Sequence, residues 1–452
     1  MKDKNNLGEA SILRLLVKFS VPAIIAMIVN TLYNIVDRMF IGNIPDIGNL
    51  AITGVGITLP IMTVILGFGL LIGVGASARI NLCLGRGDKD LAEKHLGNAL
   101  SMSIIIGIII TIIGLFFSEG LLMLFGASSE TLPYATEYIN IIYIGVVPSL
   151  IGFGLNHSIR SDGNPKFAMF STVIGAVLNI VLDYIFIFEF GLGVKGAAYA
   201  TIISQAISAI CILWYFYGGL SKLKIKNKDL ILRKSVVWSI FTIGMSPFAM
   251  QIAQSLVQVI CNNSLKAYGG DNAIGAMAII SSIVMIFSMP VIGLNQGAQP
   301  IIGYNYGAGN YDRVKKILKY SLIFATSMGI LVFLLIQISP ELLISIFNDD
   351  VELVNLTIEG SKIYLFMLPI VGISIVASNY FQAIGKAAVS MFLSILRQVI
   401  VLIPMILILP KVANLGLRGV WLAGPTADFI SVAITAIFFI ASVRGLTKKV
   451  ND

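Results

Sequence analysis

Asp37 and Asp183 are carboxylates set inside apolar runs long enough to cross a bilayer. An ionisable side chain in hydrocarbon is costly, so it marks a functional position by default and faces a cavity or a partner. Tyr33 precedes Asp37 by four residues and Asn179 precedes Asp183 by four, so each pair shares one helix face. At 1.5 Å per residue, and with successive runs crossing in opposite directions, Asp37, Asp183 and Thr201 fall at one depth, roughly 8–10 Å below one membrane surface. Asn179 sits one turn deeper. Two carboxylates that close together in a low-dielectric site cannot both stay ionised cheaply. Either one holds a proton or a cation sits between them. A pocket that gains and loses one positive charge can couple an ion gradient to a change of conformation.

The elements that position these groups are membrane-spanning helices. The chain has 452 residues, of which 57% are hydrophobic and 12% charged, with a mean hydropathy of +0.91. That is too apolar for a soluble globular protein of this length. Continuous apolar runs at 14–42, 50–81, 95–117, 134–159, 166–189, 196–217, 236–263, 272–303, 317–338, 354–383, 386–409 and 418–442 predict an all-α polytopic membrane protein of twelve transmembrane helices. A β-barrel would instead show alternating segments of about ten residues.

The net charge of +8 does not call for a nucleic acid, because the basic residues are sorted by side. Lys and Arg gather in the N-terminal segment, the even-numbered connections and the C-terminal tail, whereas 118–133 and 338–353 carry acids and neither Lys nor Arg. This pattern places both termini in the cytoplasm of a multi-pass plasma-membrane protein. The first apolar run lacks a following small-residue cleavage site and reads as a retained span. Cys83, Cys211 and Cys261 are scattered and suggest neither a disulfide framework nor a metal site. His95 and His157 lie near the predicted cytoplasmic ends of their spans, where a solvated or capping role is expected.

The two halves repeat at a constant offset. Gly75-Ala76 recurs as Gly297-Ala298, GRGDKDLAEK at 85–94 as GAGNYDRVKK at 307–316, Gly163 as Gly385, and Met169-Phe170 as Met391-Phe392. Six spans per copy keep the copies in one orientation, as parallel repeats about an axis along the membrane normal. The expected organisation is a six-helix N-terminal lobe at 1–217, a lysine-rich cytoplasmic linker at 218–235 and a six-helix C-terminal lobe at 236–452. Such bundles usually hold substrate between the halves and alternate access by rocking. Pro22 and Pro247 lie a few residues into the first span of each half, where a hinge or a static kink are equal readings. Gly67, Gly69, Gly73 and Gly75 are expected to serve close helix packing.

The second half does not copy the acids. Asp183 falls on Met405, and the matching spans carry Gln251, Gln254 and Gln258, then Asn295, Gln296 and Gln299, then Asn379 and Gln382. These suit either a wet cavity wall or interhelical hydrogen bonds. Arg397 and Asp428 lie near the middle of the last two spans. There a buried ion pair is the economical arrangement, with substrate binding or gating as the alternative. No GxxxxGK[ST] phosphate loop, HExxH, GxSxG elbow or His/Cys cluster occurs, and the loops are short, so nothing points to an enzyme.

SVPAIIAMIVNTLYNIVDRMFIGN at 20–43, RSDGNPKFAMF at 160–170 and NIVLDYIFIF at 179–188 together resemble the multidrug and toxic compound extrusion family, in particular its bacterial multidrug exporters. With the GRGD and GAGN loops, the resemblance covers essentially the whole chain. It implies a V-shaped bundle of two six-helix lobes that exports organic cations and amphipathic drugs against inward H+ or Na+, acting as a monomer without a cofactor. It also assigns ion binding, including Na+ if that is the ion, to Asp37, Asn179, Asp183 and Thr201, with Tyr33 nearby and Pro22 as the hinge. Gln251, Gln254, Gln258, Asn295, Gln299, Asn379, Arg397 and Asp428 are the candidate substrate-cavity residues. A flippase for a lipid-linked intermediate is the alternative. It would need a dense basic cavity, and the spans hold few Lys or Arg.

Overall fold

A computed structural model of the protein describes residues 7–344 and 350–451, which form helices and connections with no strand among them. Part of the predicted 338–353 connection, and the extreme ends of both termini, lie outside the described residues. In chain order the helices are α1 (Ile12–Gly42), α2 (Gly48–Ile57), α3 (Leu59–Gly85), α4 (Lys89–Leu124), α5 (Leu132–Ile144), α6 (Val146–Ser161), α7 (Pro165–Tyr184), α8 (Gly193–Tyr217), α9 (Lys234–Gly307), α10 (Tyr311–Ile338), α11 (Pro340–Ile344), α12 (Val351–Tyr364), α13 (Leu368–Ala383), α14 (Ala387–Ile395), α15 (Ile403–Ile408) and α16 (Leu417–Asn451).

Among the described residues nine apolar stretches are long enough to cross a bilayer as single helices, and two further spans are bent pairs, α5 with α6 at 58° and α12 with α13 at 56°. The bends have one cause. Pro148 and Pro369 lack the N–H that would bond four residues back, and their rings crowd the carbonyls of Ile144 and Leu365, where the helices break. At 74 residues, α9 far exceeds the length of one crossing, and it breaks at Gly270, with φ 65° and ψ −161°. Counting α9 as two spans gives the expected twelve. The second predicted run, 50–81, differs in detail: it is divided at Thr58 into α2 and α3, with Pro60 in the first turn of α3.

The repeat is visible in the turns. Gly87 and Gly309 have φ of 80° and 76°, and Gly163 and Gly385 have 92° and 77°, a left-handed conformation that favours glycine. In the first half a capping side chain follows each turn. Asp88 accepts from the Leu91 N–H at 2.9 Å and Asn164 from the Phe167 N–H at 3.2 Å.

The chain forms two compact units, one built on Val21–Phe248 and the other on Ala249–Asp452 together with the segment that ends at Ser20. Both boundaries fall inside helices, beside Pro22 of α1 and Pro247 of α9, rather than across the 218–235 connection. That connection is fastened to the first unit. Asp162, capping α6, accepts from the Tyr215 hydroxyl at 2.5 Å and from the Lys222 and Leu223 N–H groups at 3.0 and 2.8 Å. Burial pushes the Asp162 carboxyl above its usual range, and these donors offset part of the rise. Buried Glu93 pairs with Lys226, and Asn98 donates to the Asp229 carbonyl at 2.9 Å while accepting from the Arg233 N–H at 2.9 Å.

In the second unit the chain's opening segment is held in the same manner. Asn305 donates to the Leu7 carbonyl at 3.0 Å and Arg313 to the Ala10 carbonyl at 2.6 Å. Glycines let the crossing helices touch. A Cβ at Gly75 would lie 2.2 Å from the Ile240 carbonyl oxygen, and one at Gly297 would lie 2.5 Å from the Ser20 hydroxyl. His95 is not solvated as expected: it is buried between the Leu91 carbonyl at 2.8 Å and the Ser239 hydroxyl at 3.0 Å, because the start of α9 covers it. On α4 the side chains of Ile105, Ile108, Ile109, Ile112, Ile113 and Phe116 remain exposed, a face fit for lipid.

Candidate functional site

Four spans of the first unit bring a polar cluster together in otherwise apolar surroundings. α1 supplies Tyr33 and Asp37, α5 supplies Tyr138, α7 supplies Asn179 and Asp183, and α8 supplies Thr201. Asp37, Tyr138, Asn179, Asp183 and Thr201 are buried, and Asp183 is wholly inaccessible. The Asn179 amide donates to Asp183 at 3.4 Å and to the Thr201 hydroxyl at 3.5 Å. The carboxyls of Asp37 and Asp183 are close enough to interact with each other, and Tyr33 lies beside both. Two ionised carboxylates are both acceptors and repel, so the arrangement favours either a proton on one of them or a cation between them.

Three oxygens in the cluster, Asp37 Oδ1, Asn179 Oδ1 and Asp183 Oδ2, are buried with no hydrogen-bond donor. The Asn179 amide nitrogen points at Asp183 and Thr201, which leaves its own oxygen unpartnered. Three oxygens of this kind suit a proton or a small hard cation. Tyr138 was not among the sequence candidates, yet it is buried beside Thr201 and near both aspartates. The signal was weak, since a tyrosine inside TEYIN reads as an ordinary interfacial aromatic. Just past Asp183 the helix widens into a π turn at Ile185–Glu189, a local irregularity often found beside functional side chains.

The second-unit candidates do not form one cluster. Gln254 and Gln258 are exposed, and Gln258 bonds its own neighbour Asn262 at 3.1 Å. Gln251 is half-buried. Asn379 donates to the Asn295 carbonyl at 3.1 Å, while the side chain of Asn295 and the Gln299 amide nitrogen are buried without partners. Arg397 and Asp428 form an ion pair, Nε to Oδ1 at 2.6 Å. Tyr364 and Cys261 accompany it. These four side chains come from the first part of α9, α12, the π turn Leu396–Leu402 and α16, the spans that match α1, α5, α7 and α8 in the repeat. Two surface recesses of about 320 and 310 Å³ contain none of these groups; they lie at Gly42–Leu50 and between α10 and α16.

A family model described as MatE matches residues 22–185 and 247–408, one copy in each half. The multidrug export protein MepA of Staphylococcus haemolyticus is 29% identical over 438 residues, covering 96% of this chain and 95% of that one. A solved structure of a transporter named MATE in the bent conformation superposes with a TM-score of 0.93 at 25% identity over all of both chains. One in the straight conformation gives 0.92 at 26% identity, over 99% of this chain and 100% of that one.

Proposed function

The chain belongs to the MatE family of multidrug and toxic compound extrusion transporters, and on that premise we propose that it is a secondary active multidrug antiporter. It exports organic cations and amphipathic drugs across the plasma membrane, with both termini in the cytoplasm, and is driven by inward movement of H+ or Na+. The observation that carries this reading is the Asp37–Asp183 contact together with the three donorless oxygens around it. Entry of one cation removes one unit of the pair's negative charge, and its departure restores charge that must be solvated or matched by a cationic substrate elsewhere. Occupied and empty pockets therefore favour different arrangements of α1, α7 and α8.

α1 is suited to transmit such a difference. It carries Asp37 in the first unit, continues past Pro22 and ends its other arm in the second. Proline has no N–H to give to the helical ladder, and helices kink most readily at such residues. That a solved relative exists in bent and straight conformations supports the reading.

The test is ethidium efflux from proteoliposomes, with a pH gradient and a sodium gradient imposed separately on wild type, Asp37→Asn and Asp183→Asn. Wild type responds to one gradient and both variants lose the response. Full gradient-driven efflux in both variants would overturn the proposal.

A further inference from the structure

We propose that Arg397 and Asp428 form a recognition site for zwitterionic amphiphiles, molecules that carry a carboxylate and an ammonium group on one apolar frame. The proposal rests on the reading of the protein as an exporter and names a substrate class within it. The ion pair is incomplete as built. Arg397 uses only Nε toward Asp428, and its terminal nitrogens meet no acceptor among the described residues, although a guanidinium has five N–H donors. The side chain is 31% exposed, so those donors are reachable, whereas Asp428 is 9% exposed and held in place. Asp428 Oδ2 has neither a hydrogen-bond donor nor full burial, so it is open as well.

The pair thus presents a free fork of two donors beside a free carboxylate oxygen, and its net charge is zero. A pure cation or a pure anion would leave one unbalanced charge in a low-dielectric site. A zwitterion does not: its carboxylate accepts two N–H bonds from Arg397, and its ammonium donates to Asp428. Tyr364 lies beside the pair. Gly424, one turn before Asp428, leaves room for its ring, since a Cβ there would lie 2.5 Å from the ring edge. No covalent step is involved.

The experiment compares a fluorescent fluoroquinolone bearing a free carboxylate and a secondary amine with its methyl ester, titrated onto purified protein in detergent. Wild type is expected to bind the zwitterion about tenfold more tightly than the ester, a difference of about 1.4 kcal/mol. In the double variant Arg397→Gln/Asp428→Asn, which removes both charges together, the two ligands should bind alike. Arg397→Lys, which keeps the charge but not the fork, should give an intermediate ratio. Each ratio is internal to one protein, so a general loss of affinity does not mimic the effect.

Equal binding of acid and ester by wild type overturns the proposal, as does a ratio that survives in the double variant. If wild type exports ethidium yet shows no preference, only this inference fails; if it exports nothing, the transport reading fails instead. Titration in liposomes with and without phosphatidylethanolamine, whose headgroup is also a zwitterion, shows whether the source is lipid. A preference for the acid that phosphatidylethanolamine abolishes assigns the site to headgroups, and one that persists assigns it to soluble drugs.

Discussion

The two units use matching spans to build two polar clusters of opposite character. In the first, Asp37 and Asp183 lie near each other with Asn179, Thr201 and Tyr138 around them, and among the described residues neither carboxylate forms an ion pair. In the second, the cation is already present as Arg397, tethered to the backbone and bonded to Asp428. A site that must borrow its positive charge responds to the concentration of an ion. One that owns its positive charge does not. Duplication supplied the same scaffold twice, and a few side chains gave one copy a pair of carboxylates, suited under the proposed function to read an ion, and the other an internal ion pair.

The sharpest way to break this contrast is through the first cluster. Asp183→Asn should lower gradient-driven ethidium efflux about a hundredfold, equivalent to about 2.7 kcal/mol. Arg397→Gln/Asp428→Asn should leave the dependence of efflux on the driving ion's concentration where wild type has it. An altered ion dependence in that double variant would erase the distinction between the units.

Next in size is the stability of the second cluster. Arg397→Met strands Asp428 in an apolar setting and should destabilise the protein by about 3 kcal/mol, whereas Arg397→Met/Asp428→Leu should recover most of the loss. Thermal unfolding in detergent measures both. A smaller effect compares the helix crossings. Gly244→Ala, whose Cβ would lie 1.8 Å from the Leu71 carbonyl oxygen, and Gly297→Ala, whose Cβ would meet the Ser20 backbone at 2.6 Å, should each cost about 1–3 kcal/mol by overpacking. Unequal losses would show that the two crossings, alike in sequence, are not alike in tolerance. The smallest effect is expected from Tyr138→Phe. Loss of the buried hydroxyl beside Thr201, about 1 kcal/mol, should raise the half-saturating concentration of the driving ion about fivefold.

Much of this was legible in the chain. Asp37, Asp183 and Thr201 were expected at one depth, with Asn179 one turn deeper, because helical rise converts residue number directly into height, and the structure brings these residues together. The paired turn glycines were legible because left-handed backbone has few alternatives to Gly. What escaped were lateral relations. Height along a helix does not say which face meets which neighbour, so Tyr138 and Tyr364 went unnoticed. The burial of His95 was missed for a similar reason, since its covering partner, Ser239, is distant in sequence.

The exchange of helix starts between the units has a consequence for biosynthesis. The first unit lacks part of its packing until the residues around Ile240 and Gly244 have left the ribosome, well after its sixth span. The opening segment waits longer still, because Leu7 meets its partner Asn305 only 298 residues later. Insertion of this protein therefore cannot proceed as two independent hexahelical modules in succession. Each stage leaves an unfinished seam that the following stage closes, and a nascent chain arrested after span six would expose one that a chaperone or insertase has to shield.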